Sequence, residues 1–269
     1  MKIVGEKING TLAKVRTAIE NRDEEYIRQL ALAQVEAGVD WLDVNAGTSP
    51  ARELGDLLWL IECVQSVSEV PVCLDSANPE PLAHAVRKLD RSPMINSISL
   101  EQKKVAEILP VVREYQCDVI ALAMDDNGMP QNVEQRLEII GRLLELTGGA
   151  GIPLHKVYID PLLMGAATNT DSGQIALDTI RQTAARWPGV HFCAGLSNIS
   201  FGLPHRSIIN QAFVGLAIAA GLDTAILDPL DRELRAAILA TELVLGRDRH
   251  CQNYTRAAKK QAIGRQRSA

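Results

Sequence analysis

Val72-Cys73-Leu74-Asp75-Ser76, a short apolar run that follows Pro71 and ends in a carboxylate, is the stretch that decides the fold. The same pattern returns at Val157-Tyr158-Ile159-Asp160-Pro161. Two more apolar runs end in an amide side chain, at Asn96 and at Asn198. Short apolar runs between turn residues are typical of buried parallel strands, and the carboxyl ends of the strands in a parallel barrel lie on one face. We therefore expect these four polar side chains to converge on one ligand.

Helical segments with one apolar face separate these runs. Between Leu54 and Val64 apolar residues recur at intervals of three and four, which predicts a helix that leads into the Asp75 strand. Strand and helix alternate eight times at spacings of roughly 20 to 40 residues, as a (β/α)8 barrel of about 250 residues requires. We predict an α/β fold, a single TIM-barrel domain over residues 1–269, with a frayed basic tail from Asn253 to Ala269. The predicted strands begin at Lys2, Trp41, Val72, Met94, Asp118, Val157, His191 and Thr224.

The composition excludes several classes of partner. With 46% hydrophobic residues among 269, the chain can bury a substantial core. Its 28 basic and 33 acidic residues give a net charge of -5, so the chain has no basic footprint for nucleic acid. The longest apolar stretch, Ala212 to Leu222, is too short to span a bilayer. We expect no nucleic-acid partner and no membrane partner.

The cysteines indicate a reducing compartment. Cys63, Cys73, Cys117, Cys193 and Cys251 are odd in number and form no C-x-x-C pair, which argues against a disulfide framework. The histidines add no metal-ligand spacing. We therefore expect a cytoplasmic protein with no tightly bound metal.

The polar residues at the predicted strand ends accept hydrogen bonds and carry few positive charges. Asp43 and Asn45, in the second strand, join this set of Asp75, Asn96, Asp160 and Asn198. Carboxylates and amides suit a neutral heterocycle rich in N–H donors, whereas a phosphate ester calls for Arg, Lys or helix N-termini. A pterin presents such an edge, with a ring N–H beside an NH2 group. For the two asparagines a second interpretation stays open, as turn formers that bond their own backbone.

These stretches resemble the pterin-binding methyltransferases that exchange a methyl group between tetrahydrofolate and a corrinoid protein. Members of that family serve the corrinoid/iron-sulfur protein of acetogenic metabolism, and relatives serve O-demethylase, methylamine or betaine systems. The resemblance runs nearly end to end and rests on seven motifs in order. They are Gly5-Glu6-Lys7-Ile8-Asn9-Gly10, Leu42-Asp43-Val44-Asn45, Cys73-Leu74-Asp75-Ser76, Met94-Ile95-Asn96-Ser97, Tyr158-Ile159-Asp160-Pro161-Leu162, Gly195-Leu196-Ser197-Asn198 and Gly221-Leu222-Asp223.

The resemblance implies a role for each strand-end residue. Asp75, Asn96 and Asp160 would bind the pterin. Asn198 would act in catalysis near N5, the nitrogen that carries the methyl group. Further positions match residues in or beside the family's site, and they are Asp43, Gly195, Ser197 and Arg206.

The implied reaction moves a methyl group between N5 of 5-methyltetrahydrofolate and the cobalt of a corrinoid, or cobalamin. Departure of N5 as an anion is prohibitive, so a proton must reach it before or during the transfer. The Asn198 amide cannot act as an acid, but it can hydrogen-bond to N5 and favour the protonated transition state. The chain has no D-x-H-x-x-G corrinoid motif, so a separate corrinoid protein is implied. We also expect a homodimer.

Other classes of protein share such a barrel. Dihydropteroate synthase binds pterins, but its family carries a Lys in the loop after the strand-six Asp, where this chain has Pro161-Leu162-Leu163-Met164-Gly165. A Schiff-base aldolase needs a reactive lysine, and Lys7 is the sole lysine at a predicted strand end. A non-catalytic pterin-binding protein is the third alternative, and a turnover measurement separates it from an enzyme.

Overall fold

Eight parallel strands close into a barrel in chain order, which confirms the predicted (β/α)8 fold. The structure, a computed structural model, describes residues 1–267, with side chains up to residue 259. The strands are β1 (Lys2–Asn9), β2 (Trp41–Asn45), β3 (Val72–Asp75), β4 (Met94–Ile98), β5 (Asp118–Leu122), β6 (Val157–Asp160), β7 (His191–Gly195) and β8 (Thr224–Leu227).

Helices surround the barrel and alternate with the strands. They are α1 (Ala13–Asn21), α2 (Glu24–Glu36), α3 (Pro50–Gln65), α4 (Pro79–Ala85), α5 (Gln102–Tyr115), α6 (Val133–Gly149), α7 (Ser172–Arg186), α8 (Arg206–Ala220), α9 (Arg232–Val244) and α10 (Gln252–Arg267). The prediction missed α1, a short helix between β1 and α2. Within the described residues no helix has the length and apolar character needed to cross a membrane.

The predicted frayed tail from Asn253 is wrong, because α10 occupies that stretch and contacts α9. The Asp248 carboxylate caps its start, accepting hydrogen bonds from the backbone N–H of Asn253 at 3.0 Å and of Tyr254 at 2.9 Å. A carboxylate at a helix N-terminus satisfies N–H groups that have no partner within the helix. The last two residues of the predicted tail, Ser268 and Ala269, lie outside the described residues.

Alternate residues of the strands point into the barrel and form two layers of different chemistry. The lower layer is an apolar plug of buried side chains, Val4, Trp41, Cys73, Met94, Ile120, Tyr158 and Cys193. Two residues further along their strands come Asp43, Asp75, Asn96 and Asp160. The plug closes the barrel beneath this polar layer, so a ligand reaches it from the carboxyl ends of the strands.

Two strand ends differ from the prediction. β4 continues past Asn96 to Ile98, and β7 ends at Gly195. A 3-10 turn over Leu196–Ser200 follows β7, so Asn198 lies in a turn and not at the end of the strand. The turn closes on itself through the hydrogen bond from the Phe201 N–H to the Asn198 carbonyl at 3.1 Å, which a strand residue would make to a neighbouring strand.

Candidate active site

Asp75, the last residue of β3, is paired with Asn96 of β4 on one side of the barrel mouth, the opening at the carboxyl ends of the strands. Asn45, the last residue of β2, donates a hydrogen bond from Nδ2 to Oδ2 of Asp75 at 2.7 Å. Burial raises the pKa of the Asp75 carboxyl, and the hydrogen bond from Asn45 lowers it. Asn45 therefore orients a partly desolvated acceptor at the mouth.

Asp43 lies deeper than Asp75 and is the most buried of the predicted site residues. Its side chain is 2% exposed, and its Oδ1 atom has no hydrogen-bond partner in the part of the chain that the structure describes. Burial raises the pKa of Asp43 well above its ordinary value, and the charge of Asp75 raises it further. Hydrogen bonds with the Cys73 and Asn96 side chains lower it. A buried acceptor without a partner is a place for a ligand or a water molecule.

Asp160 ends β6, three strands away from Asp75 around the mouth. Its Oδ1 atom accepts a hydrogen bond from the backbone N–H of Leu162 at 2.8 Å. Burial raises the pKa of Asp160 to about 6, against the lowering effects of the Leu162 N–H and the Arg136 guanidinium. Near neutral pH Asp160 is therefore a carboxylate that protonates readily.

The turn after β7 presents Asn198 at the rim, where its side chain is exposed. Arg206, the first residue of α8, holds this turn, with Nη2 donating to the Ser197 carbonyl at 2.8 Å and Nε donating to Ser200 Oγ at 3.0 Å. A Cβ atom at Gly195 would lie 3.1 Å from Nδ2 of Asn198, so the glycine leaves room for the amide. Arg206 and Gly195 thus place the Asn198 amide, and Ser197 contributes its carbonyl.

Three charged residues at the ends of β1 and β8 complete the mouth. Lys7 donates from Nζ to Oδ2 of Asp228 at 2.7 Å. Burial raises the pKa of Glu6, and the charge of Asp228 raises it further, whereas Lys7 and Arg206 lower it. Because Lys7 is ion-paired, it does not stand alone in an apolar pocket as a Schiff-base lysine does.

The predicted residues form separate groups around one opening. Asp43, Asp75 and Asn96 form one cluster, while Asp160 lies on β6 and Asn198 lies after β7. No hydrogen bond within the described residues joins Asp160 or Asn198 to that cluster. A ligand seated in the mouth would bridge them.

Arg136, which no sequence pattern indicated, is buried behind Asp160 on α6. A single arginine on a helix has no pattern that distinguishes it from a surface residue. The described residues contain no group of three or more His, Cys, Asp or Glu side chains arranged to hold a metal ion.

The fold and the polar groups at the mouth define a class, the (β/α)8 barrels that carry polar side chains at the carboxyl ends of their strands. Residues 5–228 match the family model described as pterin binding enzyme. The chain belongs to this family.

Curated relatives make the resemblance more specific. The chain is 39% identical over 267 residues to the methylcorrinoid:tetrahydrofolate methyltransferase of Eubacterium limosum, covering 98% of each protein. It is also 30% identical over 237 residues to the methionine synthase of Mycobacterium leprae, covering 83% of this chain and 20% of that protein. The family predicted from the motifs is thereby confirmed.

Solved structures share the fold at lower identity. The dihydropteroate synthase of Yersinia pestis, solved with a pterine-sulfa conjugate, superposes with a TM-score of 0.70 at 16% identity, covering 91% of this chain and 93% of that one. The enzyme from Xanthomonas albilineans, in complex with 7,8-dihydropteroate, gives a TM-score of 0.70 at 20% identity, covering 91% and 92%. Similarity at this identity establishes the barrel fold alone.

We expect Asp160→Asn to stabilise the ligand-free protein at neutral pH. The folded-state pKa of about 6 exceeds the ordinary value of 3.8, so the folded state holds a proton that the unfolded state has released between these values. The destabilisation by the carboxylate thus develops as pH rises from about 4 to 6 and is complete above that window. A shift of about two pKa units corresponds to roughly 3 kcal/mol at most.

Calorimetric melting of both proteins from pH 4 to pH 8 measures this effect. The Asn variant should melt at the higher temperature at pH 8, and the difference should vanish near pH 4. A variant that melted below the parent at pH 8 would show that the carboxylate stabilises the free protein.

Proposed function

We propose that this chain transfers a methyl group between a corrinoid and N5 of tetrahydrofolate. The observation that carries the proposal is the similarity to the Eubacterium limosum methylcorrinoid:tetrahydrofolate methyltransferase, at 39% identity over 98% of both proteins. That relative's name gives a methylcorrinoid and tetrahydrofolate as its two reactants. The same site serves both directions of transfer, because the transition state is shared. The direct test is to mix the protein with cobalt(I) cobalamin and 5-methyltetrahydrofolate and follow the cobalamin spectrum.

The acceptors of the mouth fit the donor edge of a pterin. A ring N–H beside an NH2 group can donate to both oxygens of one carboxylate. We assign Asp75, Asn96 and Asp160 to this edge, with Asp43 beneath it. The Oδ1 atom of Asp43 is already desolvated and without a partner. An unfilled buried acceptor is unfavourable by about 1 to 3 kcal/mol, which a ligand donor would offset.

We assign Asn198 to the N5 side of the ring. With the donor edge directed at β3, β4 and β6, the opposite edge of the pterin faces the turn after β7, where the Asn198 side chain is exposed. Its amide can donate to N5 or accept from the N5–H. A hydrogen bond that strengthens as the N5 proton is gained or lost lowers the barrier more than it strengthens binding.

Asn198→Ala should lower kcat by about one to two orders of magnitude and change tetrahydrofolate affinity less, because the bond strengthens mainly in the transition state. Single-turnover transfer at saturating folate measures the chemical step, and calorimetry measures affinity. Asn127→Ala, an exposed asparagine after β5, is the matched control and should behave as the parent. A defect that disappears at saturation would reduce Asn198 to a binding residue.

A separate corrinoid protein is the second partner that we propose. When docked, the corrinoid supplies the cobalt that gives or accepts the methyl group. The apolar plug blocks approach from below, so this partner has to cover the mouth from above.

The rim beside Asn198 has the surface that such a partner needs. Phe201, which follows the Asn198 turn, is 70% exposed, and Leu230, which follows β8, is 41% exposed. The Asn198 turn follows β7, and β7 and β8 are neighbours in the barrel. Phe201 and Leu230 therefore flank the side of the mouth to which we assign N5. Large exposed apolar side chains at a rim of polar groups are typical of protein interfaces.

Phe201→Asp and Leu230→Asp should each lower kcat/KM by about tenfold or more with a corrinoid protein that the parent uses, because an aspartate would be buried unpaired. Transfer with free cobalamin should stay at the parental rate. Met129→Asp, on the same face after β5 and 48% exposed, is the control and should change neither. Equal loss with free cobalamin would show that the residues act on the pterin site.

We propose a homodimer formed by the outer faces of α8 and α9. Leu216 of α8 and Val244 of α9 are exposed, and so are Leu245, which follows α9, and Tyr254 of α10. Sedimentation equilibrium should give twice the chain mass of 29.3 kDa, and Leu216→Asp should give a monomer. A parental protein that sediments at 29.3 kDa contradicts the proposal.

We also propose a cytoplasmic location, where the buried cysteines stay reduced.

A further inference from the structure

Arg136 is a charged side chain buried in the wall of the barrel. It lies in the first turns of α6 and is 2% exposed. Its Nη1 atom donates to the main-chain carbonyls of Pro161 at 2.6 Å and of Leu162 at 2.9 Å. Its Nε atom has no hydrogen-bond partner among the described residues. A buried, incompletely bonded guanidinium is weak evidence for a purely stabilising role.

The two carbonyls belong to the segment that directly follows Asp160. Leu162 has a φ of 59°, in the left-handed region that is unfavourable for a residue with a side chain. This conformation turns the chain back, so that the Leu162 N–H donates to Oδ1 of Asp160 at 2.8 Å. The turn orients the carboxylate, and the guanidinium holds the turn.

We propose that Arg136 is the positioning residue for Asp160. By holding the carbonyls of Pro161 and Leu162, it keeps the Leu162 N–H on one carboxylate oxygen and leaves Oδ2 directed at the pterin. The inference rests on the proposed pterin site. Arg136 would thus act through Asp160 and not through a contact with the pterin.

Arginine has the two properties that this place requires. A guanidinium nitrogen carries two hydrogens in the plane of the group, so Nη1 alone can serve two carbonyls. Its positive charge also favours the ionised form of Asp160 and lowers the pKa of that carboxyl against the effect of burial. Lysine would keep the charge without the planar donors, and glutamine would keep two amide hydrogens without the charge.

Few other ionisable groups of the described residues face Asp160. From β7, the buried Cys193 thiol lies near it, and burial raises the pKa of that thiol, so the thiol stays neutral. On β5 the residue paired with Asp160 is Leu122, which carries no charge. From α6 the facing charge is Arg136. The pH dependence of ligand binding at Asp160 should therefore respond to Arg136.

The experiment measures tetrahydrofolate affinity by calorimetry from pH 5 to pH 8.5 in the parent, Arg136→Gln and Arg136→Lys. In the parent, affinity should fall as the pH drops through about 6, where Asp160 gains a proton. In Arg136→Gln the midpoint should move up by about one pH unit, because a neighbouring positive charge is lost. In Arg136→Lys the midpoint should stay near the parental value, while affinity at pH 8 falls by about tenfold as the turn loosens.

A second comparison separates positioning from general stability. In an Asp160→Asn background, adding Arg136→Gln should cause little further loss of affinity, because residues that act through one another are not additive. Arg142→Gln, on the same helix but exposed, is the matched control and should keep parental affinity and midpoint.

The outcomes are distinct. Folded Arg136 variants with the parental midpoint and affinity, or losses that add fully to that of Asp160→Asn, would overturn the inference. If Arg136→Gln does not fold, Arg136→Lys still decides, because parental affinity at pH 8 in that variant contradicts the positioning role. A parent that does not bind tetrahydrofolate at all would instead overturn the proposed function.

Discussion

The burial of carboxylates at the open end of the barrel is the constraint around which the site is built. Burial is the largest cause of the raised pKa of Asp43, of Asp75 and of Asp160. Each carboxylate has a neighbouring hydrogen-bond partner. Asp43 bonds with the Cys73 and Asn96 side chains, and Asp75 accepts from the Asn45 amide. Asp160 accepts from a backbone N–H, that of Leu162. The free protein thus carries desolvated carboxylates at its mouth, one of which has an oxygen without a partner among the described residues, and this lowers its stability.

The barrel makes this arrangement possible because its apolar packing and its polar side chains lie in different layers of the interior. Side chains alternate along a strand, so positions two apart point to the same side. The apolar plug at the level of Cys73 and Tyr158 contributes packing, and the layer above it carries Asp75 and Asp160 of the proposed site. The polar layer therefore rests on a rigid base while remaining open to solvent on one face.

Charged side chains from the surrounding helices hold the segments that follow the strands. Glu53 of α3 accepts from Ser76 and Asn78 after β3. Arg136 of α6 binds the carbonyls after β6, and Arg206 of α8 binds the Ser197 carbonyl after β7. Both arginines donate to oxygens of the protein itself. The same device thus supports the segments after β3, β6 and β7.

The sequence by itself determined the barrel and most of the residues at its mouth. Apolar runs ending at Asp75, Asn96 and Asp160 are local patterns, because side-chain alternation and strand-ending turns depend on near neighbours. The tertiary structure alone decided that Asn198 lies in a turn, that Asn45 orients Asp75 across 30 residues of chain, and that Arg136 supports the Asp160 segment from 25 residues away. Such contacts depend on how strands and helices are brought together in space, and no spacing along the chain records them.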